Sequence, residues 1–276
     1  MIKKSSIIAF HALVLFIVLP FVVNAGWVIT EESTDVHGNR MIQTTFIQNN
    51  FIRHETQSSI AIIDFKKKII TLVFSQYKVF WSGTIQQLKE NSISAYDKQM
   101  EEMLIGLSPA DRIELDSIYN DIRTQLLDTN RVVNNNIAVF ETSENEKILE
   151  YNARRYDIKF DTIIIESIWH TTEVKPYNDV DVNYMISFMK QLNPISGQGS
   201  ISYTDEYIEL LQNGILLKSI EYLPDSNQQL VRVTNIREIN IIDDFFIPPP
   251  NYREASFSDI LYLMPLLEEE GKDFDW

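Results

Sequence analysis

The residues able to do chemistry are few and scattered. Four histidines occur in the chain. Outside the N-terminal apolar run, His37, His54 and His170 stand far apart, with no H-E-x-x-H motif and no i, i+4 pair that would set two imidazoles on one helix face. Glu55 follows His54 directly, but neighbours on a strand point to opposite faces, so the pair forms no site. A turn or strand-surface place fits all three histidines. Gly197-Gln198-Gly199 lacks the third glycine of a dinucleotide cradle. There is no G-x-S-x-G elbow and no phosphate-binding lysine loop. The absence of cysteine removes thiolate zinc sites, cysteine nucleophiles and disulfides together. With 39 acidic residues, carboxylate pairs are unavoidable and point to no particular acid–base chemistry. The expectation is therefore a protein with no catalytic residue, no metal and no cofactor, a hydrolase being the remotest alternative.

The apolar residues say more. Met100, Met103 and Leu104, then Ile118 and Ile122, then Met185, Phe188 and Met189, recur at helical spacing on three segments. Methionine fills irregular space and adapts to varied partners, which suits a greasy pocket for flexible chains; any one of these methionines also fits plain core filling.

These residues need a scaffold, and the sequence supplies one rich in strands. Segments near 27–34, 40–48, 51–57, 59–65, 69–75 and 77–82 are β-branched and aromatic, separated by His37-Gly38-Asn39, Asn49-Asn50 and Ser58-Ser59. Spacings near ten residues predict an antiparallel meander, since parallel pairs need long crossovers. The period then changes. A helix is predicted over about 94–106, ending at Gly106. A second begins with Ser108 as N-cap and Pro109 in the first turn, its stripe made of Leu115, Ile118, Ile122 and Leu126. Strands resume at 132–141, 146–152, 154–160 and 162–171. A helix over 179–192 is ended by Pro194, a short one spans 204–212, and strands follow at 215–222 and 229–241. Many antiparallel strands with helices inserted as blocks make an α+β chain.

The N-terminus has the pattern of an export signal. Lys3 and Lys4 precede an uncharged apolar stretch to Val23, Pro20 breaks it, and Val23-Asn24-Ala25 sets up cleavage after Ala25. The run is close to the ~18 residues of a membrane anchor; Pro20 and the small-residue site favour cleavage over retention. Residues 1–25 are read as signal peptide, 26–253 as one domain, and 254–276 as an amphipathic and acidic tail carrying Phe257, Ile260, Leu261, Leu263, Leu267 and Glu268-Glu269-Glu270. The product is expected to be periplasmic or secreted and not stably inserted in a membrane. The formal charge of the full chain is −15, and removal of the two signal lysines leaves −17. Such a surface argues against nucleic acid and anionic lipid surfaces, where Lys and Arg must displace counterions.

The order of the pieces has a counterpart. Phe51-Ile52-Arg53-His54-Glu55, Ile62-Ile63-Asp64-Phe65, Ile69-Ile70-Thr71 and Tyr77-Lys78-Val79-Phe80-Trp81 come first. Leu107-Ser108-Pro109-Ala110-Asp111-Arg112 follows, then Tyr151-Asn152-Ala153-Arg154-Arg155-Tyr156-Asp157-Ile158 and Glu166-Ser167-Ile168-Trp169. Phe246-Ile247-Pro248 and Tyr252-Arg253 close the series. Over about residues 27–253 this resembles the exported bacterial family labelled DUF4412, itself similar to the LolA/LolB-like lipoprotein-carrier fold. The resemblance implies a strongly curved antiparallel half-barrel whose helices cover an apolar concave face able to receive acyl chains. Two functions follow as expectations. One is an envelope carrier or sensor binding a lipid or lipoprotein acyl chain; the other is an envelope protein–protein module with no small ligand, using edge strands or the 255–267 tail.

Overall fold

A computed structural model describes residues 25–127, 137–196, 204–223 and 227–260. The signal segment up to Asn24, the Gly197–Gly199 loop and the tail from Leu261 onward lie outside these residues.

Six strands, β1 (Gly26–Thr34), β2 (Arg40–Gln48), β3 (Phe51–Glu55), β4 (Ile60–Asp64), β5 (Ile69–Phe74) and β6 (Val79–Gly83), form the expected antiparallel meander. Two helices follow, α1 (Ile85–Met103) and α2 (Pro109–Leu127), then strands β7 (Ile137–Ile148), β8 (Tyr151–Phe160) and β9 (Ile163–Thr171). A 3-10 turn at Pro176–Asp179 leads into α3 (Val182–Ser196) and α4 (Asp205–Asn213). The chain then returns through β10 (Ile215–Tyr222) and β11 (Gln228–Ile239), a 3-10 turn at Asp243–Phe246, and the short β12 (Arg253–Glu254). All twelve strands join one sheet in the order β12-β6-β5-β4-β3-β2-β1-β11-β10-β9-β8-β7. Two meanders are thus fused where β11 pairs with β1, and only β12 against β6 is parallel. The class is α+β.

Both faces of the sheet are covered. On one, Ile29, Ile47, Phe74, Trp81, Leu217 and Val233 pack with Ile85 and Leu88 of α1 and with Met185 and Phe188 of α3. On the other, Val28, Ile62 and Val73 meet Ile241 and Phe246 of the segment that follows β11. That segment is a strap across the sheet. The buried Gln48 side chain exchanges two hydrogen bonds with the Ile241 backbone, at 2.9 and 3.0 Å. Arg53 donates to the Phe245 carbonyl at 2.6 Å and lies 4.2 Å from the centre of its ring. The chain then turns over the β6 edge, where the Ala255 N–H donates to the Phe80 carbonyl. Ala255, Phe257 and Ile260 are buried, and Phe257 meets Trp81 edge to face. The packed domain therefore runs past residue 253, and these three residues offer no free surface to a partner.

Three sequence expectations need correction. The first helix begins nine residues before Ser94, because Thr84 and Gln87 form a capping box: Thr84 Oγ1 accepts from the Gln87 N–H and Gln87 Oε1 from the Thr84 N–H. Residues 137–141 and 146–148, expected in two separate strands, belong to one strand, β7, while Tyr151 and Asn152 open β8. The polar run Glu141–Asn145 resembles a turn, but on a sheet edge a polar irregularity costs little and discourages edge-to-edge pairing. Helix α3 passes through Pro194 to Ser196; so near the helix end, the missing N–H removes only one late bond.

One turn positions the site described below. Asn49 and Asn50 both have positive φ, 52° and 66°, the twist that two-residue hairpins need. Asn50 Oδ1 also accepts the Asp181 N–H at 2.7 Å, and its own N–H donates to the Asp179 carbonyl at 2.8 Å. Asp181 in turn accepts the Tyr184 N–H at 3.0 Å as the N-cap of α3. The β2–β3 turn therefore holds the start of the helix that carries Met185 and Phe188. Asn50→Gly keeps the turn geometry and loses the side-chain bond, so a loss of about 1 kcal/mol is expected. Asn50→Ala adds left-handed backbone strain and is expected to cost about 2 kcal/mol. Urea unfolding of both variants measures the difference.

Candidate functional site

A cavity of about 360 Å³ lies between the sheet, the Pro176–Asp179 turn and helices α3 and α4. Strands from β4 (Ile63) to β10 (Ile215, Leu216) contribute to its wall. These strands are five steps apart in the sheet, so a flat sheet with ~4.8 Å spacing would hold them about 24 Å apart, too far for both to face one small cavity. The sheet must curl around it, and this is its concave face.

The wall is lined by apolar Ile29, Ile52, Ile63, Phe65, Met185, Phe188 and Leu211 and by polar Glu31, Thr45, His54, Tyr177 and Tyr207. Across the strands it grades from one to the other: Ile52 and Ile63 pair in one row, Ile29, Thr45 and His54 share the next, and Glu31 lies in the row beyond, at the polar end. Strand alternation puts Ile52 and His54 on the same side, and the register sets His54 opposite Thr45, where Thr45 Oγ1 lies 3.0 Å from His54 Nδ1. Gln43 donates to Glu31 Oε2 at 2.8 Å. Burial lowers the pKa of His54, which keeps the ring neutral, although Glu31 and Glu55 act in the opposite sense. Burial pushes the Tyr177 hydroxyl up to about 12, so it stays protonated and can donate.

A second hollow of about 150 Å³ shares Glu31, Tyr207 and Leu216 with the first and adds Glu166, Ser219, Val231 and Val233. Burial raises Glu166 to about 7; the Ser219 hydrogen bond opposes this and Glu221 reinforces it. A more open cleft of about 430 Å³ lies elsewhere, lined by polar residues such as Glu173, Lys175 and Asp179, with Ala25 and Trp27 at its side.

The residues singled out from sequence divide as follows. Met185 and Phe188 line the cavity and are almost fully buried. Met100 is buried and Leu104 half-buried, away from the cavity wall. Met103 is 50% exposed: it is the last residue of α1, where the helix has passed beyond its cover. The side chains of Ile118, Ile122 and Met189 lie outside the described residues. Two histidines are not on the surface. His54 lines the cavity, and the buried His170 donates through Nε2 to the Leu210 carbonyl at 2.8 Å, fastening α4. His37 stays in an exposed turn, its N–H on Asp35. Glu31, Tyr177, Tyr207 and Glu166 escaped the sequence reading; the alternation Ile52-Arg53-His54 was the one available signal, since it sets His54 among apolar neighbours.

Among the described residues no group of three or more His, Asp or Glu is placed to hold a metal ion. Among the same residues no helix is long and apolar enough to cross a membrane.

No protein-family model matches the sequence, and no curated protein matches it. Among solved structures the chain is similar to a PNGF-II structure, at 12% identity and TM-score 0.38, over 87% of this chain and 32% of that one. It is similar to an uncharacterized conserved protein from Thermus thermophilus, at 5% identity and TM-score 0.42, over 89% and 98%. It is also similar to a LolA superfamily protein from Nitrosomonas europaea, at 6% identity and TM-score 0.24, over 82% and 91%. The chain spans only 32% of the PNGF-II chain, and at these scores none of the three bears on ligand or activity.

Proposed function

We propose that this is an exported bacterial envelope protein that lodges the apolar chain of a lipid or lipoprotein in its concave cavity, as a carrier or sensor and without catalysing a reaction. The observation that carries the reading is the cavity itself, with one end walled by Ile52, Ile63, Met185 and Phe188. Its volume falls within the ~300–1,000 Å³ of small-molecule sites, which are mostly apolar with a few polar groups. At ~0.8 kcal/mol per buried methylene, ten carbons of chain contribute on the order of 8 kcal/mol before ordering costs. The Lys3–Ala25 signal pattern supports the export part of the reading, and the resemblance of the motif order to DUF4412 proteins supports the carrier part.

The test compares two methionines. In titrations with a fluorescent apolar probe, Met185→Asp is expected to weaken binding at least tenfold, whereas Met103→Asp stays within twofold of the parent. A folded Met185→Asp protein that binds as well as the parent overturns the reading.

One observation favours the second reading, a protein-binding module. The turn between α1 and α2 and the helix ends beside it expose Met103, Ile105, Leu107 and Ile113, with Ile105 79% exposed. Loss of a co-purifying protein in Ile105→Glu, with bound lipid unchanged, would support it.

A further inference from the structure

The polar end of the cavity is unusual in its charge. Glu31 stands where the two hollows meet and Glu166 lines the smaller one. Among the described residues neither carboxylate forms an ion pair. Gln43 donates to one oxygen of Glu31, and Ser219 bonds Glu166. Three nearby cations, Arg40, Arg53 and Lys218, are engaged elsewhere. Arg40 pairs with Glu32, which is the next residue to Glu31 on β1 and so faces the other side. Arg53 binds Glu55 and the Phe245 carbonyl on the strap. Lys218, which also lines the smaller hollow, sends its ammonium to Glu146 at 2.7 Å, 4.0 Å from the centre of the Trp169 ring. His54 is kept neutral by burial. A carboxylate next to an apolar wall is costly without an opposite charge or a full set of donors.

We propose that the ligand carries a protonated amine at its head, seated on Glu31 with Glu166 as the second acceptor, and extends its apolar chain along Ile52, Ile63, Met185 and Phe188. This rests on the apolar-cavity reading and specifies the head that the cavity selects. A carboxylate or phosphate head would meet Glu31 and Glu166 with like charge, and among the described residues lining the two hollows Lys218 is already paired with Glu146.

Three probes of equal chain length separate the possibilities: dodecylamine, dodecanol and dodecanoate, each kept below its aggregation threshold and titrated calorimetrically at pH 7.5. The amine is expected to bind one per chain, at least tenfold tighter than the alcohol, with the carboxylate weakest. Glu31→Gln, which preserves volume, is expected to remove the amine's advantage and leave the alcohol within twofold. Equal affinities, a preference for dodecanoate, or an amine advantage that survives in Glu31→Gln overturns the amine proposal and leaves the apolar cavity standing. If none of the three binds, the apolar-cavity reading itself falls. The ranking in the parent protein decides the matter on its own if the variant does not fold.

Discussion

Replacing Phe188 by alanine is expected to lower stability by about 3–5 kcal/mol, the range for deleting a buried aromatic ring. Phe188 is 1% exposed and packs edge to face on Phe65 with ring centres 6.0 Å apart. It also forms part of the cavity wall, so the space it vacates joins a hollow already present and cannot be closed by a small shift of neighbours. The loss should therefore lie in the upper part of the range. For a domain of this size each kcal/mol moves the melting temperature by about 2–4 °C, which a calorimetric scan resolves easily. Ile113→Ala, at a site 72% exposed on α2, is the control and should change stability by no more than about 0.5 kcal/mol. A Phe188→Ala loss as small as that of the control would mean that α3 does not rest on the sheet.

Glu166 is expected to make the protein less stable as pH rises. Burial, reinforced by Glu221 and opposed by the Ser219 hydrogen bond, raises its folded-state pKa to about 7 from an ordinary 4.5. Between those values the folded state keeps a proton that the unfolded state has lost, so stability falls across this window and is level above it. The full shift corresponds to about 3 kcal/mol, and side-chain contact with water in the hollow reduces it to roughly 2 kcal/mol. Glu166→Gln should flatten this part of the profile and make the protein more stable than the parent at pH 8, with little difference at pH 4.5. Urea midpoints at several pH values measure it. An unchanged slope in Glu166→Gln would assign the pH dependence to other groups.

The meander was legible because its turns announce themselves. Asn49-Asn50 tolerates the positive φ of a tight hairpin, and the strands between such turns are β-branched and aromatic. Two residues of the cavity wall were legible for a similar reason: Met185 and Phe188 are three residues apart, so they share the apolar side of α3. Met103 obeys the same spacing relative to Met100 and yet lies open, because periodicity identifies a stripe but not how far along the helix the covering surface extends. The polar end was hidden for a different reason. Alternation shows that Ile52 and His54 share a face, yet both faces of this sheet bury apolar residues, one under helices and one under the 241–252 strap. Only the direction of curvature decides which strand residues look into the cavity, and that direction depends on pairings as distant in sequence as β1 with β11. The first turns of α1 could have been read from Thr84-Ile85-Gln86-Gln87, a capping-box spacing set before a polar stretch.

The central claim is that the concave cavity holds an apolar chain, and the most direct measurement is the native mass of protein purified gently, without detergent. The expected result is a population heavier than the polypeptide by the mass of one lipid-like molecule. That increment should disappear on organic extraction and be absent from Met185→Asp while persisting in Met103→Asp. A single species at the polypeptide mass in every preparation, which also takes up no added apolar ligand, would contradict it.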